Sequence, residues 1–393
     1  MHESVAQTRG AVPSGVVQPA ASTAKSPRDA RIDVFRGLAL VMIFINHVPG
    51  TVFEHFTNRN YGFSDAAEAF VFLSGVAAAL AYSSRLHAGP LWPAIARVWA
   101  RARTLYFVHL STTTMAMGIM AAAALHFGLP ELLTTINLAP IFSHPLGVMI
   151  GIPTLGHQLG YFNILPLYTV LLLAAPAMIL LGGKRPFLLL GISICVWAAA
   201  AQFRLNFPAY PNPGGWFFNP LAWQLLFVLG LLTGMAMKRG ARFVPEIGWL
   251  KWTAGLFLLA VLIWRLEPEV AAIGRAGLGA LYDLGAPYYL VGFDKTFLAL
   301  PRMLHFLALA YFLSTQGWVE RFARSRSMAP FALLGQHGLA VFATGSVLSI
   351  LMQAIKAGIG DHLTTDALLL GSGLAVQFAL AYGLRRTARM KAA

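Results

Sequence analysis

Ten runs of mainly apolar residues alternate with polar segments along the chain, at 34–53, 66–82, 104–126, 161–181, 187–203, 221–237, 250–265, 296–316, 328–352 and 367–384. About 20 consecutive apolar residues suffice for a helix to cross the hydrocarbon core of a bilayer. The pattern therefore predicts an all-α polytopic membrane protein with about ten transmembrane helices. Gly37, Gly75, Gly118 and Gly345 fall inside these runs, as do Pro49, Pro166 and Pro176. A bilayer helix tolerates such residues better than a soluble one.

Composition narrows the class. Of 393 residues 57% are hydrophobic and 11% charged, against roughly 25% charged in an average soluble domain. An ordinary cytosolic enzyme is excluded. The single cysteine, Cys195, excludes an internal disulfide and a four-ligand cysteine metal site, and no metal site is expected.

The 29 Lys and Arg residues against 15 Asp and Glu give a net charge of +14, which in a soluble protein would suggest nucleic acid. In a membrane protein, basic residues gather in cytoplasmic loops instead. With the amino terminus inside, 22 of the 29 fall in cytoplasmic segments, which predicts both termini in the cytoplasm and no nucleic-acid partner. Residues 1–27 lack periodicity and read as a disordered cytoplasmic tail. Residues 28–385 form the transmembrane domain, and 386–393 a basic cytoplasmic tail. The stretch 104–183 has no Lys or Arg, so the connection at 127–160 is expected outside, as are 204–220 and 266–295.

Ionisable groups within a span cost about 2.5–3.5 kcal/mol each on insertion scales, so each one needs a reason. The first run, RGLALVMIFINHVP, carries Arg36, Asn46 and His47. Arg36 and His47 are eleven steps apart, about three helical turns, so they share a face and stand roughly 16 Å apart. This puts Arg36 at the cytoplasmic interface and His47 near the midplane. A neutral imidazole there can act as a general base toward a hydroxyl attacking a carbonyl. An arginine at the interface suits phosphates. A coenzyme A thioester has the matching shape. The plainer alternative is a positive-inside anchor and a histidine hydrogen-bonded to a neighbouring helix.

The second run opens with Ser64, Asp65 and Glu68. Carboxylates favour a helix N-terminus, but Glu68 lies a turn deeper and is a candidate partner for His47. Arg97, Arg101 and Arg103 lead into the third run, either as further anchors or as a clamp for donor phosphates. In the eighth, Asp294, Lys295, Arg302 and His305 place charge within lipid depth, with Asp294 or Glu68 as a partner for Arg302. His337, after Gln336, is a weaker pocket candidate at the inner end of the ninth.

The segments RIDVFRGLALVMIFINHVPG, NYGFSDAAEAFVFLSG, NPLAWQLLFVLG, DKTFLALPRMLHFLALAY and LGQHGLAVF together resemble the OpgC family of membrane acyltransferases. That family is similar to a wider transmembrane acyltransferase superfamily marked by a first-helix arginine separated by ten residues from a histidine, a spacing that Arg36 and His47 match. Where the family block leads one to expect a basic residue before His337, this chain has Gln336. The resemblance implies transfer of an acyl group, succinyl in this family, from cytoplasmic acyl-CoA to a hydroxyl of a periplasmic glucan at the bacterial inner membrane. It makes acyl-CoA a co-substrate, with no bound cofactor. His47 is then the catalytic base, supported by Glu68, and Arg36 holds the donor. The rival reading is an exporter of a glycan or small anion using Arg302 and His305.

Overall fold

The computed structural model describes residues 29–391, so the predicted tail at 1–27 lies outside the described residues. Helix α1 spans Ala30–Asn46, and the Asp29 side chain caps it by accepting the Arg31 N–H at 3.0 Å. Helix α2 covers Ala66–Ala88 and α3 covers Leu91–Phe127. At ~1.5 Å per residue α3 is roughly 55 Å long, well beyond a hydrocarbon core of about 30 Å. It stops at Gly128, whose φ of 66° is in the left-handed region. The connection that follows holds two short helices, α4 (Ala139–Ser143) and α5 (Pro145–Gly151). Then come α6 (Ile164–Lys184), α7 (Pro186–Gln202), α8 (Pro220–Lys238) and α9 (Gly248–Leu266). Helices α10 (Pro268–Asp283) and α11 (Tyr288–Val291) lead to α12 (Leu300–Ser314) and α13 (Gly317–Ala323). The chain closes with α14 (Ala329–Gln336), α15 (Gly338–Ile359) and α16 (Leu363–Met390).

Every predicted apolar run overlaps at least one helix. Among the described residues, seven helices, α2, α3, α6, α8, α9, α15 and α16, are long and apolar enough to cross a membrane, and α7 and α12 are shorter apolar helices. The protein is an all-α polytopic membrane protein.

Two boundaries differ from expectation, for local reasons. The first run was expected to continue to residue 53, but α1 ends at Asn46, and His47 is its C-terminal cap. Pro49 has no N–H to extend the ladder, and Gly50 adopts a φ of 78° that turns the chain away. His47 thus sits at a helix end and not in mid-helix. The ninth run was expected to be continuous. It breaks at His337, whose φ and ψ of −104° and 28° separate α14 from α15.

Helix α8 is the centre of the bundle: 78% of its apolar window is buried, against 11% for α9 at the edge. α2 lies directly on it because neither helix has side chains at the crossing. A Cβ on Gly75 would collide with the Phe227 carbonyl, and one on Gly230 with the Phe72 carbonyl. Small residues permit such backbone approach where lipid offers no hydrophobic drive for association. α1 meets α14 the same way, through Gly37 against Phe331 and Gly335 against Asp33.

The antiparallel connections give the bundle two ends. One is rich in arginine, where α1 and α3 start and α2, α6, α8 and α16 finish. At this end Lys238 reaches the Leu80 carbonyl at 2.9 Å, and Arg31 and Arg242 both donate to the Ser314 carbonyl. At the other end α1 finishes and α2 and α12 begin, around a cavity.

Candidate active site

The cavity encloses about 840 Å³. α1 contributes Ile43 and Asn46, with His47 at its end; the start of α2 contributes Ser64, Asp65, Ala66 and Ala67. The three connections expected outside all reach it, through Asn137 and Gln158, through Phe217 and Phe218, and through Phe293 and Lys295. Tyr161, Asn163, Arg59, Arg265 and Arg302 complete much of the wall. Carboxamides and aromatic rings therefore alternate with basic groups.

The start of α2 shows why its charges are tolerated. Asp65 and Glu68 form a capping box, in which Asp65 accepts the Ala67 N–H at 2.8 Å and Glu68 Oε2 accepts the Asp65 N–H at 2.9 Å. The same two carboxylates hold cations from a segment more than 200 residues away. Arg302 donates from Nε and Nη2 to Glu68 Oε1 at 2.9 and 2.6 Å, and from Nη2 to Asp65 at 3.3 Å. Lys295 donates to Asp65. Glu68 is fully buried, so its charge is compensated by the guanidinium and a backbone N–H instead of water.

This arrangement revises the expected pairings. Glu68 makes no hydrogen bond to His47 among the described residues, because its two oxygens are taken by Arg302 and the Asp65 N–H. The carboxylate that exerts an electrostatic effect on His47 is Asp65, opposed by Lys295. Asp294 is not the partner of Arg302. It binds Arg204 at 2.9 Å and caps the next turn by accepting the Thr296 N–H. His305 is held by Ser64, Oγ to Nδ1 at 2.7 Å, with Gly62 pressed against its ring.

His47 stands apart from this network. Its imidazole contacts the Tyr161 ring, with centroids 4.8 Å apart and planes tilted by 52°, and makes no hydrogen bond to another described residue. Its backbone is fixed instead: Gln353 on α15 donates to the His47 carbonyl at 2.6 Å, and Lys356 to the Gly50 carbonyl at 3.0 Å. Lys356 is itself held by Asp366 at 3.0 Å. Beside it, Thr57 donates to the Asn46 carboxamide oxygen at 2.9 Å, which leaves the amide N–H groups for the cavity. His157, next to cavity-lining Gln158, is 1% exposed, and burial lowers its pKa.

The remaining predicted residues lie at the arginine end. Arg36 rests against Gly338, beside His337. Arg36 and Arg101 both act electrostatically on Tyr168, while Arg97 and Arg101 act on Tyr82. Arg97 and Arg103 are exposed. None of Arg36, Arg97, Arg101, Arg103 or His337 lines the cavity. Tyr161, Asn137, Gln158 and Asn163 were not singled out from sequence. They are uncharged residues at the rim of a run or in a loop, and nothing in their spacing marks them.

Fold and cavity define a multi-pass membrane protein of helices with a polar, aromatic-lined chamber at one end of its bundle. A family model described as OpgC protein matches residues 28–389, nearly the whole chain. The chain belongs to that family. No curated protein matches it, and no solved structure does.

Proposed function

We propose that the protein is an inner-membrane O-acyltransferase that moves an acyl group, succinyl in the family's pattern, from cytoplasmic acyl-CoA to a hydroxyl of a periplasmic glucan. The observation that carries this reading is a histidine, His47, whose ring makes no hydrogen bond among the described residues and lies on the wall of a roomy cavity, in a member of the OpgC family. A general base needs an available nitrogen, and a glucan needs carboxamides and ring faces of the kind this wall offers.

In the reaction, an imidazole nitrogen of His47 takes the hydroxyl proton as the hydroxyl oxygen attacks the thioester carbonyl. The negative charge that develops on the carbonyl oxygen lies near Lys295, Arg302 and the Asn46 amide, which are fixed before the reaction begins. When the C–S bond breaks, the thiolate takes the proton from the imidazolium. The products are the ester and free coenzyme A, and His47 is neutral again. Glu68 serves as a positioning residue that holds Arg302. Arg36 and Arg101, with Arg97 and Arg103 further out, receive the donor's phosphates. The exporter reading has less support, since Arg302 and His305 are both engaged by side chains within the protein.

Protein purified in detergent tests the proposal, with succinyl-CoA, acetyl-CoA and a glucan acceptor and free thiol as the readout. Glucan-dependent thiol release, abolished in His47→Ala, is the expected result. Failure of the wild type to release thiol, or full turnover in His47→Ala, overturns it.

A further inference from the structure

Helix α3 has a row of hydroxyls, and nearly all of them bond to their own helix. Thr104, Ser111, Thr112 and Thr114 each donate to the carbonyl four residues back, at 2.9–3.0 Å. Thr113 does not. It is fully buried, and its Oγ1 has no hydrogen-bond partner. His109, one turn earlier on the same face, is also fully buried and has neither ring nitrogen partnered. On α15 the same contrast recurs. Ser349 donates to the Ser346 carbonyl at 2.8 Å, whereas the hydroxyl of Ser346, 2% exposed, has no partner.

These groups share one level of the bundle. α3 and α15 pack side by side, with Phe127 against Gly358 at one end and Met120 and Ala124 clustered with Ile350 and Ala354. Counting back along both helices puts Ser346 within about two residues of Thr113, roughly 3 Å of rise. Phe342, one turn from Ser346, lines the cavity. His109 is about 12 Å along α3 from Arg101, and Ser346 about 12 Å along α15 from Gly338, where Arg36 rests, with Phe342 lying between Gly338 and Ser346. The three side chains therefore stand at mid-bundle, about two turns from the arginine end and at the depth of the chamber's inner wall.

Leaving a buried polar group unpaired is costly, and such groups are usually paired in native structures. Each of the three can both donate and accept. We propose that His109, Thr113 and Ser346 form a binding site for the amide-bearing arm of the donor, the pantetheine chain that joins its phosphates to its thioester. This rests on the acyl-CoA reading above. The arm carries amide and hydroxyl groups along a flexible chain, and donor-and-acceptor side chains at mid-depth match that chemistry. Phe342, one turn from Ser346, packs its ring against Phe70 with centroids 5.8 Å apart and lines the chamber.

The test measures KM for succinyl-CoA, for S-succinylpantetheine and for glucan, together with the unfolding midpoint in detergent, in Thr113→Val, Ser346→Ala and His109→Leu. The first two keep shape closely and carry the test if the third fails to fold. Each is expected to raise KM about fivefold, the worth of one neutral hydrogen bond, for both donors alike. The KM for glucan is expected to hold, and the unfolding midpoint of the unliganded protein to hold or rise, since each replaced polar group is unpaired there. Arg36→Ala and Arg101→Ala should weaken succinyl-CoA only. Unchanged donor KM values in all three variants, or a lowered midpoint with both substrates affected together, overturn the site while leaving the acyltransferase reading intact. A wild-type protein that turns over neither donor overturns both.

Discussion

Two sets of buried and half-buried ions stand near the same end of the bundle and do different work. Glu68, Arg302, Asp65 and Lys295 bind each other side chain to side chain, and three of the four line the cavity. Lys356 and Asp366 are more deeply buried than any of these but Glu68 and do not line it; Lys356 donates to the backbone carbonyl of Gly50. The first set determines what a ligand meets. The second determines where the chain runs as it leaves α1. Burial alone does not distinguish a site from a brace; the identity of the acceptor does.

The largest effect is expected where neither set reaches. His47→Ala should lower turnover by roughly 10²–10⁴-fold, while the unfolding midpoint in detergent stays at the wild-type value, because the ring makes no hydrogen bond. A large loss of stability would show His47 to be a packing residue. Next, Arg302→Ala should destabilise by about 3–5 kcal/mol, since it leaves Glu68 charged and buried. Arg302→Met with Glu68→Leu should recover much of that, as measured by thermal unfolding. Lys356→Met should cost less, about 1–3 kcal/mol, because Asp366, the buried carboxylate that loses its partner, lies in the first turn of α16, where the helix N-terminus favours a negative charge. If it cost more than Arg302→Ala, the ranking of the two sets would be reversed. Smallest, Gln353→Leu should lower turnover about fivefold with KM for both substrates unchanged, the result of a looser carbonyl hold on His47. Equal losses in KM would assign Gln353 to ligand binding instead.

The helices were legible because lipid leaves no alternative: a run of about 20 apolar residues must hydrogen-bond its own backbone. The same cost made Glu68 and Arg302 conspicuous. Their pairing was not legible, because Glu68 had two candidate partners, His47 and Arg302, and the choice depends on how α2 and α12 meet across more than 200 residues. Asp294 was an equally good partner by sequence and went to Arg204. The early end of α1 was signalled by Pro49 and Gly50, and the apolar residues beyond them masked it. His109, Thr113 and Ser346 were silent for another reason. A histidine or hydroxyl in a bilayer helix ordinarily satisfies itself locally, and only the hydrogen-bond inventory shows that these three do not.

Gln353 and Lys356 grip carbonyl oxygens at positions 47 and 50, and a carbonyl oxygen is the same whatever side chain its residue carries. Position 47 is therefore a socket: its mounting is independent of the tool placed in it. A cysteine or an aspartate installed there would be held at the same point on the chamber wall, so the reactive group could be exchanged without rebuilding its support.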